Sequence, residues 1–366
     1  MQRDTAAIRI GCYHRLSHHL HGELHPMRQL AINIVRYNQE FPLLEDSIQA
    51  ALNQDLDNFE VVLTENGSSD SIKGRLLQRF GADHRFRYEE NTTNLGFAGG
   101  HNRFIHTVDA EFVLPLNPDT QLTPEYARTV LAVFGDPSVA AAEGKMLKPV
   151  PLIDGRYILD GTGMYLSRAR RAGERGQLQI DKGQFDQSTN VFGVSATAAI
   201  YRTSALQRIK HGHAEYFDED LFTYWEDLDL AWRLRLAGFE CRYVPGAIVY
   251  HSRSANQSKD GFTRIGAFIA NTRSLSLRVV QWDWRNHLLT IIKNDFGFSF
   301  LRDLPRIAVR ELAIFAYLCV VRPQILLAVP EFFRLLPRIL RKRKLVQRSR
   351  AVSSRQMEQW FESAQR

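Results

Sequence analysis

The segment "QLAINIVRYN" (residues 29–38) is a run of apolar residues that ends in polar ones, a pattern that predicts a buried β-strand. The next segment, "PLLEDSIQAALNQ" (42–54), has the spacing of an amphipathic helix, and "NFEVVLTENGSSD" (58–70) predicts a second strand running into a polar turn. Strand and helix alternating in this way predict βαβ units, and therefore an α/β fold with a Rossmann-like, mostly parallel sheet flanked by helices. The alternation continues through "SIKGRLLQRFG" (71–81), "FRYEENTTNLGFAGGHNRFIHTVDAE" (86–111) and "FVLPLNPD" (112–119).

The sequence pattern changes after a predicted helix at 124–136, because residues 140–210 hold short strand-like segments, many glycines and a basic loop. The segment 220–239 contains a helix that is predicted to begin at its acidic residues, and a strand is predicted over 240–256. The last third is helical, then basic and amphipathic. We see no internal repeat.

Composition places the 366-residue chain among globular proteins, because 44% of its residues are hydrophobic, enough for one large domain or two small ones. Three widely separated cysteines predict neither a disulfide framework nor a thiolate metal site, and they suit a reducing cytoplasm. The net charge of +7 is uneven: residues 296–366 hold 14 Lys/Arg and 5 Asp/Glu, a net of +9, which leaves −2 for residues 1–295.

Residues 1–27 are rich in histidine and have no clear period, which predicts a flexible extension rather than a metal-binding tract. Met27 directly precedes the first strand, so residues 1–26 could reflect the choice of start codon. No sustained apolar stretch there suggests a signal peptide, and the longest apolar run, 312–321, is too short to span a bilayer.

Polar residues cluster where the predicted strands end, and in a parallel sheet those ends meet at one edge, as in a nucleotide pocket. The loop "NLGFAGGHN" (94–102) lacks the G-x-G-x-x-G spacing and no G-K-[ST] follows, which disfavours dinucleotide-binding and ATP-hydrolysing proteins; a plain turn stays open. The clusters are Tyr37-Asn38 with Glu40, Glu65-Asn66-Gly67, Asn94 to Asn102, and Asn117-Pro118-Asp119.

Acidic residues mark the start of the helix in "YWEDLDLAWRLRLAG" (224–238), where Glu226, Asp227 and Asp229 occupy its first turn. Acids at this position are stabilised by the helix dipole and need no other purpose. The neighbouring Tyr224 and Trp225 equally suit a platform that holds a sugar while one carboxylate takes a proton.

Two residues far apart in the chain could form a metal site. His251 follows a strand rich in β-branched and aromatic residues, where a histidine is more often a turn residue than a ligand. Together with Asp119 it would offer imidazole and carboxylate ligands to Mn²⁺ or Mg²⁺.

The tail segment "RLLPRILRKRKLVQRSR" (334–350) carries eight basic residues and no acidic ones, interleaved with Leu, Ile and Val. This pattern suits an anionic membrane surface, where each basic residue contributes about 1 kcal/mol, and the apolar stretch 312–333 could lie in the same interface. The alternatives are a solvated helix face and a nucleic-acid patch, which the sparse aromatic residues disfavour. Residues 312–350 therefore predict membrane binding and no nucleic-acid partner.

The order of these motifs resembles that of the inverting family 2 glycosyltransferases, which have the glycosyltransferase A-type fold. The resemblance covers about residues 29–295, and "LDGTGMYLSRARRAGERGQLQIDKGQFDQSTNVFGVSATAAIYR" (159–202) is similar to the middle segment of the bacterial rhamnosyltransferase-like branch. The motifs that carry it are "INIVRYNQE", "VVLTENGSSD", "NLGFAGGHN", "FVLPLNPDT", "YWEDLDLAWRLRLAGF" and "VPGAIVYH".

The resemblance implies a role for each site. Asp227 would be the general base, Asp119 and His251 would hold the divalent cation, and the acceptor would bind near Tyr224, Trp225 and Glu226. Glu65 stands where the family usually has Asp, and Asn117 takes the first position of the family's D-x-D motif. The residues implied to border the nucleotide-sugar are Arg36, Tyr37, Asn38, Glu40, Glu65, Gly96, Gly99, Asn102 and Asn117.

The family also implies a division of the chain into a nucleotide-sugar-binding half (28–138), an acceptor-binding and catalytic half (139–295) and a helical basic tail (296–366). The implied enzyme transfers a sugar, such as rhamnose from dTDP-rhamnose, to a lipid-linked or polysaccharide acceptor in bacterial cell-surface glycan synthesis, on the cytoplasmic face of the membrane. UDP-hexose and galactofuranose donors stay open, as does a degenerate membrane-associated scaffold. A sugar-1-phosphate nucleotidyltransferase is disfavoured, because "RYNQEFP" (36–42) is unlike the Gly-rich basic loop that such enzymes have after their first strand.

Overall fold

The computed structural model describes residues 27–252, 272 and 274–362, so the predicted His-rich extension lies outside the described residues. Strands and helices alternate over residues 28–116, as the sequence predicts, with ends that shift by a few residues. The elements are β1 (Arg28–Arg36), α1 (Phe41–Leu52), β2 (Phe59–Asn66), α2 (Lys73–Phe80), β3 (Phe86–Asn91), α3 (Gly96–Thr107) and β4 (Ala110–Leu116).

The middle of the chain is built mainly from short strands. Its elements are β5 (Thr120–Leu122), α4 (Tyr126–Leu131), a 3₁₀ turn (Ala132–Gly135), β6 (Val139–Leu147), β7 (Leu159–Gly161), β8 (Met164–Leu166), β9 (Ala172–Glu174), β10 (Thr189–Asn190), β11 (Ile200–Arg202), α5 (Thr203–Ile209), α6 (Glu226–Leu236) and β12 (Glu240–His251).

Helix α6 begins at the acidic residues, as the sequence predicts. Phe222, Tyr224 and Trp225 have φ values of 65°, 67° and 75°, which a right-handed helix cannot contain, so α6 begins only at Glu226. Residues 253–256 of the strand predicted over 240–256 lie outside the described residues.

The C-terminal part is helical. Its elements are α7 (Leu277–Asn294), α8 (Gly297–Val321), a 3₁₀ turn (Pro323–Leu327), α9 (Ala328–Arg348) and α10 (Ser354–Glu362).

Among the described residues, ten strands form one sheet. Eight of them have the order β10-β12-β6-β11-β4-β1-β2-β3, while β5 pairs with β12 and β7 pairs with β6. Neighbours from β4 to β3 run parallel, as do β6 and β12, whereas β11 is antiparallel to both of its partners. A separate hairpin pairs β8 with β9. The predicted α/β fold with a mostly parallel sheet flanked by helices is confirmed.

Strand β1 lies at the centre of the fold, and both of its faces are covered. Leu30, Ile32 and Ile34 belong to the core on one side, with side chains of α1 and α2, while Ala31 belongs to the core under α3. A strand covered on both faces needs a nearly continuous apolar sequence, which explains "LAINIV".

The tail helix α9 packs against α7 and uses part of its charge inside the protein. The Lys342 Nζ atom lies 2.5 Å from carboxylate oxygens of Glu215 and Asp218, and Arg343 donates to the carbonyl oxygens of Ile292 and Asp295. Of the eight basic residues predicted to face a membrane, some therefore bind within the protein and others stay exposed.

Within the ranges that the structure describes, no single helix has the length and apolar composition needed to cross a bilayer. The pair Gly297–Val321 and Pro323–Arg348 meets the criterion only when taken together, and it is bent by 118°.

Candidate active site

A cavity of about 610 Å³ opens at the carboxyl ends of β1, β2 and β4. Those ends supply Tyr37, Asn66 and Asn117, and the loop before α6 closes the opposite side. The described lining also includes Asp119, Asp227 and His251, so residues from distant parts of the sequence share one cavity. Ligands of parallel α/β sheets bind at this edge.

The predicted metal pair is brought together by strand pairing. Residues of β12 pair with β5 in antiparallel register, with His251 opposite Thr120, and this places His251 beside Asp119. The His251 Nε2 atom lies 3.3 Å from Asp119 Oδ1, and both residues are buried. On its other side, His251 Nδ1 lies 2.8 Å from Asp160 Oδ2, and Asp160 also pairs with Lys148.

The residues at this end fit a divalent cation. Burial lowers the pKa of His251, but the carboxylates of Asp119 and Asp160 outweigh it and raise the pKa above its usual value. A carboxylate held against an imidazole whose second nitrogen faces another carboxylate is the arrangement typical of protein metal ligands. Asn117 lies at the same end, where its amide nitrogen is 3.4 Å from Thr197 Oγ1.

Another group of potential ligands, His211, Asp218 and Asp229, lies away from the cavity. The Lys293 ammonium pairs with both carboxylates of this group, and Arg233 pairs with Asp229. The positive charge that a cation would supply is already present there, so this group is a buried ion-pair network rather than a metal centre.

The predicted base, Asp227, lines the cavity at the start of α6. Its Oδ1 atom accepts the backbone N–H of Leu228 at 2.7 Å. Burial raises the pKa of Asp227 to about 6, although hydrogen bonds from Leu228, Ala196 and the Ser195 side chain lower it in part. Burial, with the charge of Asp227, raises the pKa of the neighbouring Glu226 carboxyl well above its usual value. With a pKa of about 6, Asp227 is ionised near neutral pH and available to accept a proton.

Glu143 lies behind Asp227 and was missed in the sequence. It is buried on β6, and its Oε2 atom accepts the Ser195 N–H at 2.8 Å, so it holds the segment that donates to Asp227. Burial is the main cause that raises the pKa of Glu143 well above its usual value, and the nearby charge of Glu174 raises it further. A lone carboxylate in the small-residue strand "VAAAEGKML" was the available signal.

Aromatic residues form the wall near the base. Trp225 stacks on His287 with ring centroids 4.2 Å apart, and its Nε1–H donates to Asp283 at 2.7 Å. Tyr224, Trp225 and Glu226, predicted for the acceptor, all line the cavity, as do Trp282 and Asp283 of α7, which the sequence analysis did not select.

Several residues predicted for the nucleotide side lie outside the cavity. Arg36 is 1% exposed because it pairs with Glu65 at 2.6 Å and with Asp70 at 2.8 Å, and Glu65 also accepts the Ser68 N–H. Among the described residues, the cavity lining includes Tyr37, Gly96 and Asn117 of the predicted set but not Arg36, Asn38, Glu40, Glu65, Gly99 or Asn102.

Asn102 supports the fold next to the site. Its amide donates to the Phe217 carbonyl and to Glu219, and its oxygen accepts the N–H groups of Tyr216 and Phe217. Asn66 and Asn94 belong to the predicted strand-end clusters but were not assigned to the nucleotide-sugar; they line the cavity, and the Asn66 amide donates to the Asn94 side-chain oxygen.

Gly96 meets the loop before α6 closely. Its φ is +71°, and a Cβ atom built there would lie 2.4 Å from the Phe222 carbonyl oxygen. Only glycine permits this contact, which joins the nucleotide side of the cavity to the base side.

The chain is similar to known proteins in sequence and in fold. Residues 32–210 match the family model described as glycosyl transferase family 2. The chain is 24% identical over 215 residues to poly-β-1,6-N-acetyl-D-glucosamine synthase of Staphylococcus epidermidis, covering 58% of this chain and 47% of that protein. The protein of the same name from Staphylococcus aureus (strain COL) gives the same identity and coverage. The chain spans about half the length of the curated relatives it matches.

Solved structures share the fold. GalNAc-T7, solved with UDP, GalNAc and Mn²⁺, has a TM-score of 0.54 at 10% identity and covers 73% of this chain and 48% of its own. S. aureus TarS 1–349 in complex with UDP-GlcNAc has a TM-score of 0.50 at 15% identity and covers 88% and 87%. Residues 32–210 of this chain therefore match a family 2 glycosyl transferase domain, and they lie within an α/β fold like that of the glycosyltransferase A type.

Proposed function

We propose that this protein transfers a sugar from a nucleotide-diphosphate donor to an acceptor hydroxyl, with inversion at the anomeric carbon. The observation that carries the proposal is the shared cavity: a carboxylate with a pKa of about 6, Asp227, opens into the same space as the Asp119–His251 pair. A base near neutrality and a cation site are the two groups that this reaction requires.

In this reaction the acceptor oxygen attacks the anomeric carbon while the bond from that carbon to the diphosphate oxygen breaks. The acceptor proton passes to the Asp227 carboxylate, which is ionised near neutral pH. Asp119 and His251 would hold a divalent cation, which as a Lewis acid stabilises the negative charge on the departing diphosphate. One displacement needs one base, in contrast to the two carboxylates of glycoside hydrolases.

The proposed donor is dTDP-rhamnose, supported by the similarity of residues 159–202 to the rhamnosyltransferase-like branch. A second candidate is a UDP-linked N-acetylhexosamine, because the relatives are named for N-acetylglucosamine. The proposed acceptor is a lipid-linked or polysaccharide glycan of the bacterial cell surface.

A thermal-shift and hydrolysis panel of nucleotide-sugars, with and without Mn²⁺, separates these donors. We expect the true donor to raise the melting temperature further in the presence of Mn²⁺ and to be hydrolysed slowly. If no nucleotide-sugar changes the melting temperature, the protein is a non-catalytic scaffold rather than an enzyme.

We also propose that the C-terminal helices bind an anionic membrane surface, with the protein on its cytoplasmic side. Helix α8 supports this proposal because it exposes apolar side chains and buries acidic ones, the opposite of an ordinary amphipathic helix. At 100° per residue, five of its six exposed large apolar side chains share one face, with Leu304 outside it, whereas Asp303 and Glu311 lie buried on the other, in ion pairs with arginine. The exposed apolar residues on this face are Phe298, Leu301, Val309, Leu312 and Val320.

The basic residues of α9 that do not bind the protein supply the charge. We expect replacement of exposed Arg334, Arg341, Lys344 and Arg348 by Gln to weaken binding to vesicles that contain phosphatidylserine, by about 1 kcal/mol per residue. Flotation of wild-type and variant protein measures this change. Equal binding by both would contradict an electrostatic membrane contact.

A further inference from the structure

The loop before α6, residues 221–225, has an unusual backbone. Phe222, Tyr224 and Trp225 all have positive φ, and none of them is glycine. Bulky residues seldom adopt this conformation, and it persists only where neighbouring groups fix it. The loop therefore needs an external support.

That support comes from Asn286 on α7. Its Nδ2 atom lies 2.7 Å from the Leu221 carbonyl oxygen, 2.9 Å from that of Thr223 and 3.0 Å from that of Tyr224. Asn286 is fully buried, so water does not compete for these bonds. The two N–H groups of one side-chain amide thus lie within hydrogen-bond distance of three of the five carbonyl groups of the loop, so one N–H is shared between two of them.

Two further contacts tie the loop to the same helix. The Trp225 indole N–H donates to Asp283, and its ring stacks on His287. Helix α7 lies outside residues 32–210, the part of the chain that matches the family model.

The position of the loop determines the positions of two functional parts of the site. It leads directly into Glu226 and Asp227, and its Phe222 carbonyl accepts the N–H of Ala98 at 3.2 Å, in the first turn of α3. A displaced loop would therefore move the base relative to the nucleotide side of the cavity.

We propose that Asn286 is a positioning residue for the transfer reaction, which acts by holding residues 221–225 and through them Asp227. It does not itself line the cavity among the described residues. The catalytic part of this inference rests on the proposed function, whereas the support of the loop does not.

The test compares full-length Asn286→Ala with Gln281→Ala. Gln281 is a matched control, because it is a buried amide on the same helix that donates to the Gln324 carbonyl instead of the loop. Hydrogen exchange of peptides covering 221–228 should show lost protection in Asn286→Ala only. Hydrolysis of UDP-GlcNAc and dTDP-rhamnose should show a kcat about a hundredfold lower, with the donor KM little changed.

Unchanged exchange in residues 221–228, or a normal kcat despite lost protection, overturns the proposal. If Asn286→Ala does not fold, Trp225→Phe removes the indole N–H bond to Asp283 and reduces the ring that stacks on His287, so it should loosen the same peptides. Unchanged protection there counts against support by α7. If the wild-type protein hydrolyses neither donor, the proposed function fails together with the catalytic part, while the exchange result still decides whether Asn286 holds the loop.

Discussion

The two ends of the cavity are built in different ways. At the end that we propose to hold the metal, called the metal end, Asp119, Asp160 and His251 lie on or beside strands of the sheet, and strand register sets their distances. At the base end, Asp227 begins a helix after a loop with three left-handed residues, which a separate C-terminal helix holds. The metal end thus depends on the sheet, and the base end depends on packing between distant segments.

Because of this difference, substitutions remote from the reacting groups should affect the two ends unequally. A sheet held by many backbone hydrogen bonds tolerates a lost side-chain contact, whereas the loop has few alternative supports. The following predictions measure each end separately.

The largest effect is expected at the base end. Asp227→Asn keeps the size of the side chain but removes the proton acceptor, so kcat should fall by about 10²–10⁴-fold. Calorimetry should show UDP binding close to that of the wild type, which separates lost chemistry from lost folding. Turnover at the wild-type rate would exclude Asp227 as the base.

At the metal end, Asp160→Asn should weaken Mn²⁺ binding in the presence of UDP by about 10–100-fold, because Asp160 orients the His251 ring. Titration calorimetry measures this affinity without any turnover. Lys148→Met is the matched control, since Lys148 pairs with Asp160 but not with His251, and we expect a smaller loss. Equal affinities for wild type and Asp160→Asn would show that the imidazole is oriented by other contacts.

The pH profile reports the base end alone. Asp227 must be ionised to accept a proton, and its pKa lies at about 6, so kcat/KM should rise with pH up to about 6 and level off above it. Below that value the rate should fall about tenfold per pH unit. A profile that is flat from pH 5 to 8 would contradict the assignment of the base.

The smallest effect is expected for Ser195→Ala. The Ser195 hydroxyl donates to Asp227 and lowers its pKa, so its removal should move the acidic limb to higher pH. We expect a shift below about one unit, since one unit corresponds to about 1.4 kcal/mol. Activity at pH 8 should stay the same; a loss at every pH would indicate a structural role instead.

The fold and the placement of Asp119 and His251 at one edge of the sheet could be predicted from the sequence, whereas metal binding by this pair stays a prediction. Strand ends are visible as apolar runs that stop at polar residues, and this was enough to select Asp119 and His251 for one edge of the sheet. Asp160 was missed because β7 has three residues, and its pairing with β6 is not visible in so short a segment.

The supports of the base end could not be predicted, because they come from tertiary contacts. Nothing in "QWDWRNH" (281–287) indicates that Asn286 meets the carbonyl groups of residues about sixty positions earlier. Likewise, the family resemblance implied a nucleotide contact for Arg36, whereas its two carboxylate partners place it in an ion-pair network outside the cavity.

The close contact between Gly96 and the Phe222 carbonyl also has a thermodynamic consequence. Helix α3 lies on the proposed donor side of the cavity, and the loop 221–225 lies on the proposed acceptor side. Because the Ala98 N–H of α3 donates to the Phe222 carbonyl of the loop, we expect a ligand that orders one of them to order the other. We therefore expect donor and acceptor to bind cooperatively. By linkage, the factor by which the donor tightens acceptor binding must equal the factor by which the acceptor tightens donor binding.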